Sequence, residues 1–148
     1  MLVCKSGDLL LATTKAELLP SATHNKLCLT GGPLKDWYDK NPEALGNTCA
    51  LRLSVALNES GNPIPAGTGT YKGKDGKNYF ISVKNMSNYL TKTFGQPTIL
   101  QSGQNITNSI IWQSNCGWSD ATGHLDIIYN GKAGSKYYDV CGTVKYWH

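Results

Sequence analysis

Cys49 and His124 are the two side chains of this chain whose types and settings suit nucleophilic chemistry. Cys49 follows Asn47 and Thr48, which both cap helices well, because a short side-chain oxygen can accept a hydrogen bond from a first-turn amide. At a helix start the dipole and the free amides favour an anion, and the thiolate is the nucleophilic form of cysteine. A lone cysteine on an apolar helix is more often a small buried hydrophobe. The first-turn position and the histidine downstream favour a nucleophile here.

His124 opens an apolar run that is typical of a strand. In a hairpin centred near Gly131, the residue opposite His124 is close to Asp139, whose carboxylate would orient the imidazole as the third member of a Cys-His-Asp triad. Asp126 is the alternative third residue, because it lies two positions from His124 and therefore on the same face of the strand. We favour Asp139 and keep Asp126 as the competitor.

The element that positions Cys49 is a helix predicted over residues 48–58. Apolar residues recur at helical spacing from Ala50 to Leu57 and form a wide apolar face. Gly61 can adopt the left-handed conformation that ends helices, and Pro63 prevents continuation. The first-turn amides of this helix can also serve as part of an oxyanion hole.

The other predicted elements supply a sheet for the histidine. They are a short helix at 34–38, a long loop or hairpin at 61–78, a strand at 78–83, a helix at 85–94, a loop or short strand at 97–104, and strands at 109–113, 125–129, 137–140 and 144–147. Asn130 and Gly131 predict a hairpin between the strands at 125–129 and 137–140. A nucleophile helix packed on an antiparallel sheet is an α+β arrangement.

Length and composition predict one globular domain over residues 1–148, in which residues 1–30 form a weakly patterned N-terminal extension. Apolar residues make up 40% of the 148 residues and charged residues 16%, which is a globular rather than a disordered composition. The net charge of +4 is too diffuse to indicate a nucleic-acid partner. No stretch is long enough to cross a bilayer, and residues 9–12 are too short for a signal segment, so we expect delivery by another route than general secretion.

Five cysteines are present, and no two of them form a CxxC pair, so neither a zinc site nor another cofactor is predicted. An odd count suits one free thiol and up to two disulfides. If Cys49 is free, proximity in sequence favours pairing Cys4 with Cys28 and Cys116 with Cys141, although all four could equally be reduced. Disulfides would indicate an oxidising compartment. His24 and His148 lack a comparable setting and are predicted to lie on the surface.

Three segments of the chain resemble the fourth class of type VI secretion amidase effectors. They are residues 47–58, residues 61–65 and residues 123–126, and the upstream glycine pair 31–32 and the stretch 79–97 are similar too. The resemblance implies a papain-like fold of the NlpC/P60 type and cleavage of peptidoglycan stem peptides between D-glutamate and meso-diaminopimelate. It also implies injection into the periplasm of rival bacteria and a cognate immunity protein as partner.

The resemblance assigns roles to residues of this chain. The family nucleophile matches Cys49 and the family base matches His124, while the acidic third residue of the family lies on the strand after the histidine strand, which favours Asp139. Arg52 lies about one turn from Cys49. It would either bind a stem-peptide carboxylate or be an ordinary surface arginine.

Two other kinds of function remain open at this point. The first is a cysteine protease or transferase of similar fold that acts on protein, and the second is a non-catalytic module that binds the cell wall. Trp112, Trp118 and Tyr138 would line the substrate groove in an enzyme, but packing in the core explains them equally well.

Overall fold

The structure, a computed structural model, describes residues 31–119, 122–134 and 136–148. Its helices are α1 (Gly32–Lys40), a short 3₁₀ helix (Pro42–Gly46), α2 (Cys49–Glu59) and α3 (Val83–Phe94). Its strands are β1 (Thr70–Lys72), β2 (Asn78–Phe80), β3 (Thr98–Ile99), β4 (Ser109–Ser114), β5 (His124–Tyr129), β6 (Lys132–Ala133) and β7 (Thr143–Trp147). Helices packed on antiparallel sheets confirm the predicted α+β class.

The strands form two antiparallel sheets. β1 and β2 make a hairpin, and the other five strands form a sheet in the order β3-β7-β4-β5-β6. α2 packs on one face of the larger sheet, against β5, and Leu125 and Trp147 of that sheet join the main core. A smaller apolar cluster around Ile111 lies on the opposite face. β5, which carries His124, therefore runs through the middle of the fold with α2 packed against it.

The nucleophile helix α2 begins at Cys49 and ends at Glu59, close to the predicted bounds. Most of its residues are buried, which is consistent with the wide apolar face that the sequence predicts. Thr48 occupies the N-cap position, but its side chain does not make the predicted capping hydrogen bond. A tertiary contact holds the helix instead: the buried Ser54 hydroxyl, which donates to Ala50 O within the helix at 2.8 Å, accepts a hydrogen bond from Phe80 N at 2.9 Å. α2 is thereby tied to the hairpin.

The predicted strand 78–83 and helix 85–94 meet at a different residue from the one expected. The strand stops at Phe80, and the helix starts at Val83. Ser82 is the reason, because its hydroxyl accepts a hydrogen bond from Asn85 N at 3.3 Å and caps the helix. Val83 is consequently buried in the first turn of α3 instead of ending a strand.

The predicted strand 137–140 is wrong. The turn at Asn130 and Gly131 is present, but the returning strand β6 is only two residues long. The chain then leaves the sheet, and residues 136–142 run as a loop. The neighbour of β5 on its other side is β4, with Gln113 as the Cα partner of His124. The predicted register that set Asp139 opposite His124 is therefore wrong as well.

The predicted disulfide between Cys116 and Cys141 is present and ties residues 136–142 to the end of β4. Cys49 is the free cysteine of the part that the structure describes. Cys4, Cys28 and His24 lie outside the described residues, as does the predicted extension 1–30, so those predictions and the single-domain prediction stay predictions. His148 is exposed, as expected. Within the described ranges, no helix has the length and apolar character needed to cross a membrane.

Candidate active site

Cys49 is the first residue of α2 and is only 2% exposed. The amides of the first helical turn have no partner within the helix, so they are available to an anion at this point. The thiol lies 3.4 Å from the amide oxygen of Asn47, which accepts its hydrogen bond. The sequence prediction that Cys49 opens a helix is confirmed, and the side chain is nevertheless sheltered from solvent.

His124 is the first residue of β5 and is 5% exposed. Gly123 allows this position, because the chain approaches β4 very closely there. A Cβ at residue 123 would lie 2.5 Å from the carbonyl oxygen of Gln113, and the residue has a φ of +153°. Residue 123 is therefore glycine for a steric reason, because a larger residue would prevent β5 from starting directly against β4.

The carboxylate beside His124 belongs to Asp126. Its Oδ2 lies 3.5 Å from His124 Nε2, which makes the contact an ion pair rather than a short hydrogen bond. Asp126 is 6% exposed, and backbone amides orient it: Ile127 N donates to Oδ1 at 2.8 Å and Lys136 N donates to Oδ2 at 3.1 Å. A buried carboxylate with such partners is held in one orientation toward the imidazole.

The pKa of His124 depends on both Asp126 and Cys49. Burial lowers the pKa of His124, but the interactions with Asp126 and Cys49 outweigh it and raise the pKa from 6.5 to about 9. Both negative groups stabilise the imidazolium form. Because Nε2 is on the side of Asp126, Nδ1 is the ring nitrogen left for proton exchange with Cys49. The arrangement can support a thiolate and imidazolium pair.

Asp139, the favoured third residue of the sequence analysis, lies elsewhere. It is exposed and sits in the turn at residues 139–140. Among the described residues, no ion pair joins it to His124. The reason is the short β6: without a strand at 137–140, no register brings Asp139 opposite His124. The structure brings together Cys49, His124 and the alternative acid, Asp126.

Two further residues that interact with the site were missed by sequence reasoning. Tyr38 of α1 is buried, and its pKa is raised by burial and, to a smaller extent, by the charge of a Cys49 thiolate. Gln113 is 0% exposed in the middle of the sheet, next to His124 in register. A polar residue at a buried position of an alternating strand was the available signal for Gln113, whereas nothing in the sequence marks Tyr38.

Of the remaining predicted site residues, some lie at the active site and one packs in the core. Tyr138 packs against His124, with ring centroids 4.9 Å apart at 79°, and Trp118 packs edge-on against Tyr138 at 4.8 Å. Trp112 instead stacks on Trp147 and packs against the main core. Arg52 is half-buried and lines a small cavity together with Cys49 and Asp126.

Comparisons with known proteins find one matching family and several similar structures. The family model described as "Type VI secretion system (T6SS), amidase effector protein 4", or Tae4, matches residues 45–147. The Tae4-Tai4 effector-immunity complex from Salmonella Typhimurium is similar with a TM-score of 0.75 and 25% identity, over 97% of this chain and 96% of that chain. No curated protein matches significantly.

Two structures from Enterobacter cloacae are similar in fold. Its Tae4-Tai4 complex has a TM-score of 0.73 and 22% identity, covering 99% of this chain and 98% of that chain. Its Tae4 effector has a TM-score of 0.72 and 24% identity, covering 99% and 96%. The residues matched by the family model include all three members of the Cys49, His124 and Asp126 cluster.

Proposed function

The chain belongs to the family of type VI secretion system amidase effector protein 4, and on this premise we propose that Cys49, His124 and Asp126 carry out its hydrolysis of peptidoglycan. As a member of this family the protein is a cysteine hydrolase, a DL-endopeptidase of stem peptides and an antibacterial toxin. The bond that such an enzyme cuts joins D-glutamate to meso-diaminopimelate.

The family also defines where the protein acts and what restrains it. It is an effector of a type VI secretion system and acts on peptidoglycan in the periplasm of the target cell. Two of the similar structures, one from Salmonella Typhimurium and one from Enterobacter cloacae, are complexes of an effector with an immunity protein. A cognate immunity protein is accordingly the protein partner of this chain.

In the proposed mechanism, His124 takes the proton of Cys49, or the two groups rest as an ion pair. The thiolate attacks the carbonyl carbon of the amide, and the backbone N–H of Cys49 at the helix start donates to the oxyanion. His124 then protonates the leaving amine, which departs. Water, deprotonated by the same imidazole, attacks the thioester and releases the acyl group, which regenerates the thiol.

Asp126 has the third role in this mechanism. Its carboxylate lies beside Nε2, so it holds the imidazole with the opposite nitrogen toward Cys49 and stabilises the imidazolium that forms. The observation that supports the proposal best is that His124 interacts with both Asp126 and Cys49, and that all three side chains are buried. Buried groups that interact this strongly act in a low-dielectric setting, where each charge has a large effect.

Digestion of purified sacculi tests the proposal. The wild-type protein is expected to release fragments whose masses match cleavage between D-glutamate and meso-diaminopimelate, whereas Cys49→Ala, His124→Ala and Asp126→Asn release little. Asp139→Asn is the matched control, since it removes an exposed carboxylate in the loop of residues 136–142. Intact muropeptides with the wild-type protein would refute the amidase activity, and full activity of Cys49→Ala would refute the nucleophile.

Expression in a Gram-negative host tests the compartment. Wild-type protein directed to the periplasm should lyse the cells, while the same protein kept in the cytoplasm and periplasmic Cys49→Ala should not. Lysis by both periplasmic proteins would show that toxicity does not depend on the thiol. Cleavage of casein at a rate comparable to that of sacculi would favour a protease that acts on protein.

A further inference from the structure

Gln113 is a fully buried amide at the centre of the sheet, at 0% exposure. It lies on β4, and its Cα partner across the sheet is His124. Register partners in adjacent strands project to the same face, so the two side chains are neighbours. Burial of an amide is costly unless its hydrogen bonds are made. The Gln113 side chain therefore needs one partner for its amide N–H and one for its amide oxygen.

Both ends of the Gln113 amide bind the main chain of one residue, Tyr138. Its Nε2 donates to Tyr138 O at 2.9 Å, and its Oε1 accepts from Tyr138 N at 3.0 Å. These are the two hydrogen bonds that a neighbouring strand would otherwise supply to Tyr138. A side chain therefore anchors residues 136–142 at the point where the predicted strand is missing.

The anchored residue touches the base directly. The ring of Tyr138 packs against the imidazole of His124 at 4.9 Å in a T-shaped arrangement. Trp118 packs edge-on against Tyr138 at 4.8 Å, which supports that ring from another side. Because rotation of the imidazole would have to displace the Tyr138 ring, the contact restricts the orientations open to His124.

The same loop also orients the acid. Lys136 N donates to Asp126 Oδ2 at 3.1 Å, two residues before Tyr138. The far end of the loop is attached separately, through the disulfide between Cys116 and Cys141 and through Gly142 N, which donates to Asn115 O at 2.9 Å. Gln113 thus holds the N-terminal part of the loop, residues 136–138, which contacts both His124 and Asp126.

We propose that Gln113 and Tyr138 are positioning residues for His124: the buried amide fixes the Tyr138 backbone, and the Tyr138 ring keeps the imidazole directed at Cys49. The inference rests on the proposed function, since it concerns how the base is held. Neither residue exchanges a proton with the substrate. The loss of either one leaves the chemical groups in place and misaligns them.

Kinetics with a muropeptide that carries a tetrapeptide stem tests this proposal. Gln113→Met keeps a side chain of similar length but removes both hydrogen bonds, and it is expected to lower kcat about 10- to 100-fold with a small change in KM, as misplacement of a reacting group does. Gln96→Met, an exposed position, is the matched control and should have wild-type kinetics. Cys49→Ala runs in parallel, because activity there refutes the nucleophile rather than the positioning role.

Tyr138 supplies the second pair of variants and does not depend on how well Gln113→Met folds. Tyr138→Phe keeps the ring and should retain wild-type kcat, whereas Tyr138→Leu should lose as much as Gln113→Met. The proposal is overturned if Tyr138→Leu keeps kcat within about twofold of wild type. It is equally overturned if folded Gln113→Met does so.

The alkaline limb of the kcat/KM profile separates positioning from a merely structural role. Among the described residues, Cys49 of α2, Asp126 of β5 and Tyr138 face the imidazole. Arg52 of α2 lines a cavity with Cys49 and Asp126, the Lys136 ammonium lies 4.9 Å from the centroid of the Tyr138 ring, and a Cys49 thiolate raises the pKa of Tyr38 in α1. A misaligned imidazole interacts less with Cys49 and Asp126, so the limb should move to lower pH in Gln113→Met and Tyr138→Leu. An unchanged limb in both variants contradicts the proposal.

Discussion

His124 Nε2 lies 3.5 Å from Asp126 Oδ2, and the two residues are separated by one position on the same strand. The strand itself sets this relationship, because side chains two residues apart project to the same face. The alignment of acid and base therefore does not depend on the register of a neighbouring strand. Only the thiol comes from another element, the first turn of α2.

The first prediction concerns the carboxylate. Asp126→Asn keeps the shape of the side chain but removes the negative charge beside the imidazole, so the imidazolium loses stabilisation. We expect kcat/KM for stem-peptide cleavage to fall about 100-fold or more, in line with the loss of an orienting carboxylate in other triads. Steady-state kinetics with a muropeptide measures it.

The exposed acid provides the control for that experiment. Asp139→Asn changes the same chemical group in the turn at 139–140 and should leave kcat/KM within about twofold of wild type. The opposite result, with Asp139→Asn inactive and Asp126→Asn active, would return the third role to the residue that the sequence analysis favoured.

The second prediction concerns pH. The pKa of His124 is raised to about 9, and the imidazolium is the form that protonates the leaving amine. Activity should therefore fall as the pH rises through about 9, and in Asp126→Asn this limb should move to lower pH. The pH dependence of kcat/KM between neutral and alkaline values measures both. A wild-type limb near the ordinary histidine value of 6.5 would contradict the assignment.

The third prediction follows from the same shift by linkage. A base whose pKa is higher in the folded state stabilises the fold fully below its unfolded value of 6.5, and that stabilisation disappears as the pH rises through about 9. The difference in free energy of unfolding between wild type and His124→Gln should therefore shrink over this range. Urea unfolding at several pH values measures it, and a difference that grows with pH would contradict the prediction.

Local patterns in the sequence were sufficient for the elements that carry the nucleophile and the base. The apolar spacing from Ala50 to Leu57 predicted α2, and its first residue is Cys49 as expected. The apolar run after His124 predicted β5 within one residue. Both predictions succeeded because each depends on contiguous residues whose periodicity matches one buried face.

The third residue could not be predicted because it depends on contacts between distant residues. The Asn130-Gly131 turn was read correctly, but the hairpin was extended to residues 137–140. In the structure the Gln113 side chain takes the hydrogen bonds of Tyr138 that a strand would have formed. A side chain that replaces a strand has no signature in local periodicity, so the register that favoured Asp139 failed.

The fourth prediction tests the close approach of β5 to β4. Gly123→Ala places a Cβ 2.5 Å from Gln113 O, which only a shift of the β5 start can relieve. We expect a loss of about 3 kcal/mol in the free energy of unfolding, at the upper end of the cost of overpacking. We also expect a loss of activity, since His124 is the next residue. Urea unfolding and muropeptide kinetics measure the two effects.

Gly131→Ala is the matched control for the fourth prediction. It also has a positive φ, +77°, but a Cβ there meets open space. Its cost should be only about 1–2 kcal/mol, that of a left-handed conformation in an L-residue, with activity retained. Equal losses of unfolding free energy in the two variants would mean that the backbone conformation, and not the contact with β4, requires a glycine at residue 123.

The fifth prediction concerns the disulfide between Cys116 and Cys141, which ties residues 136–142 to the end of β4. The double variant Cys116→Ser, Cys141→Ser should lose about 2–4 kcal/mol in the free energy of unfolding, because the unfolded chain is no longer cross-linked. Its kcat should fall as well, since the same loop carries the Tyr138 contact to His124. A reductant should produce both changes in the wild-type protein, and the reductant-treated double variant controls for effects of the reductant on Cys49 and on a disulfide between Cys4 and Cys28. If the reduced wild-type protein keeps its stability and kcat, Gln113 alone is sufficient to hold the loop on the base.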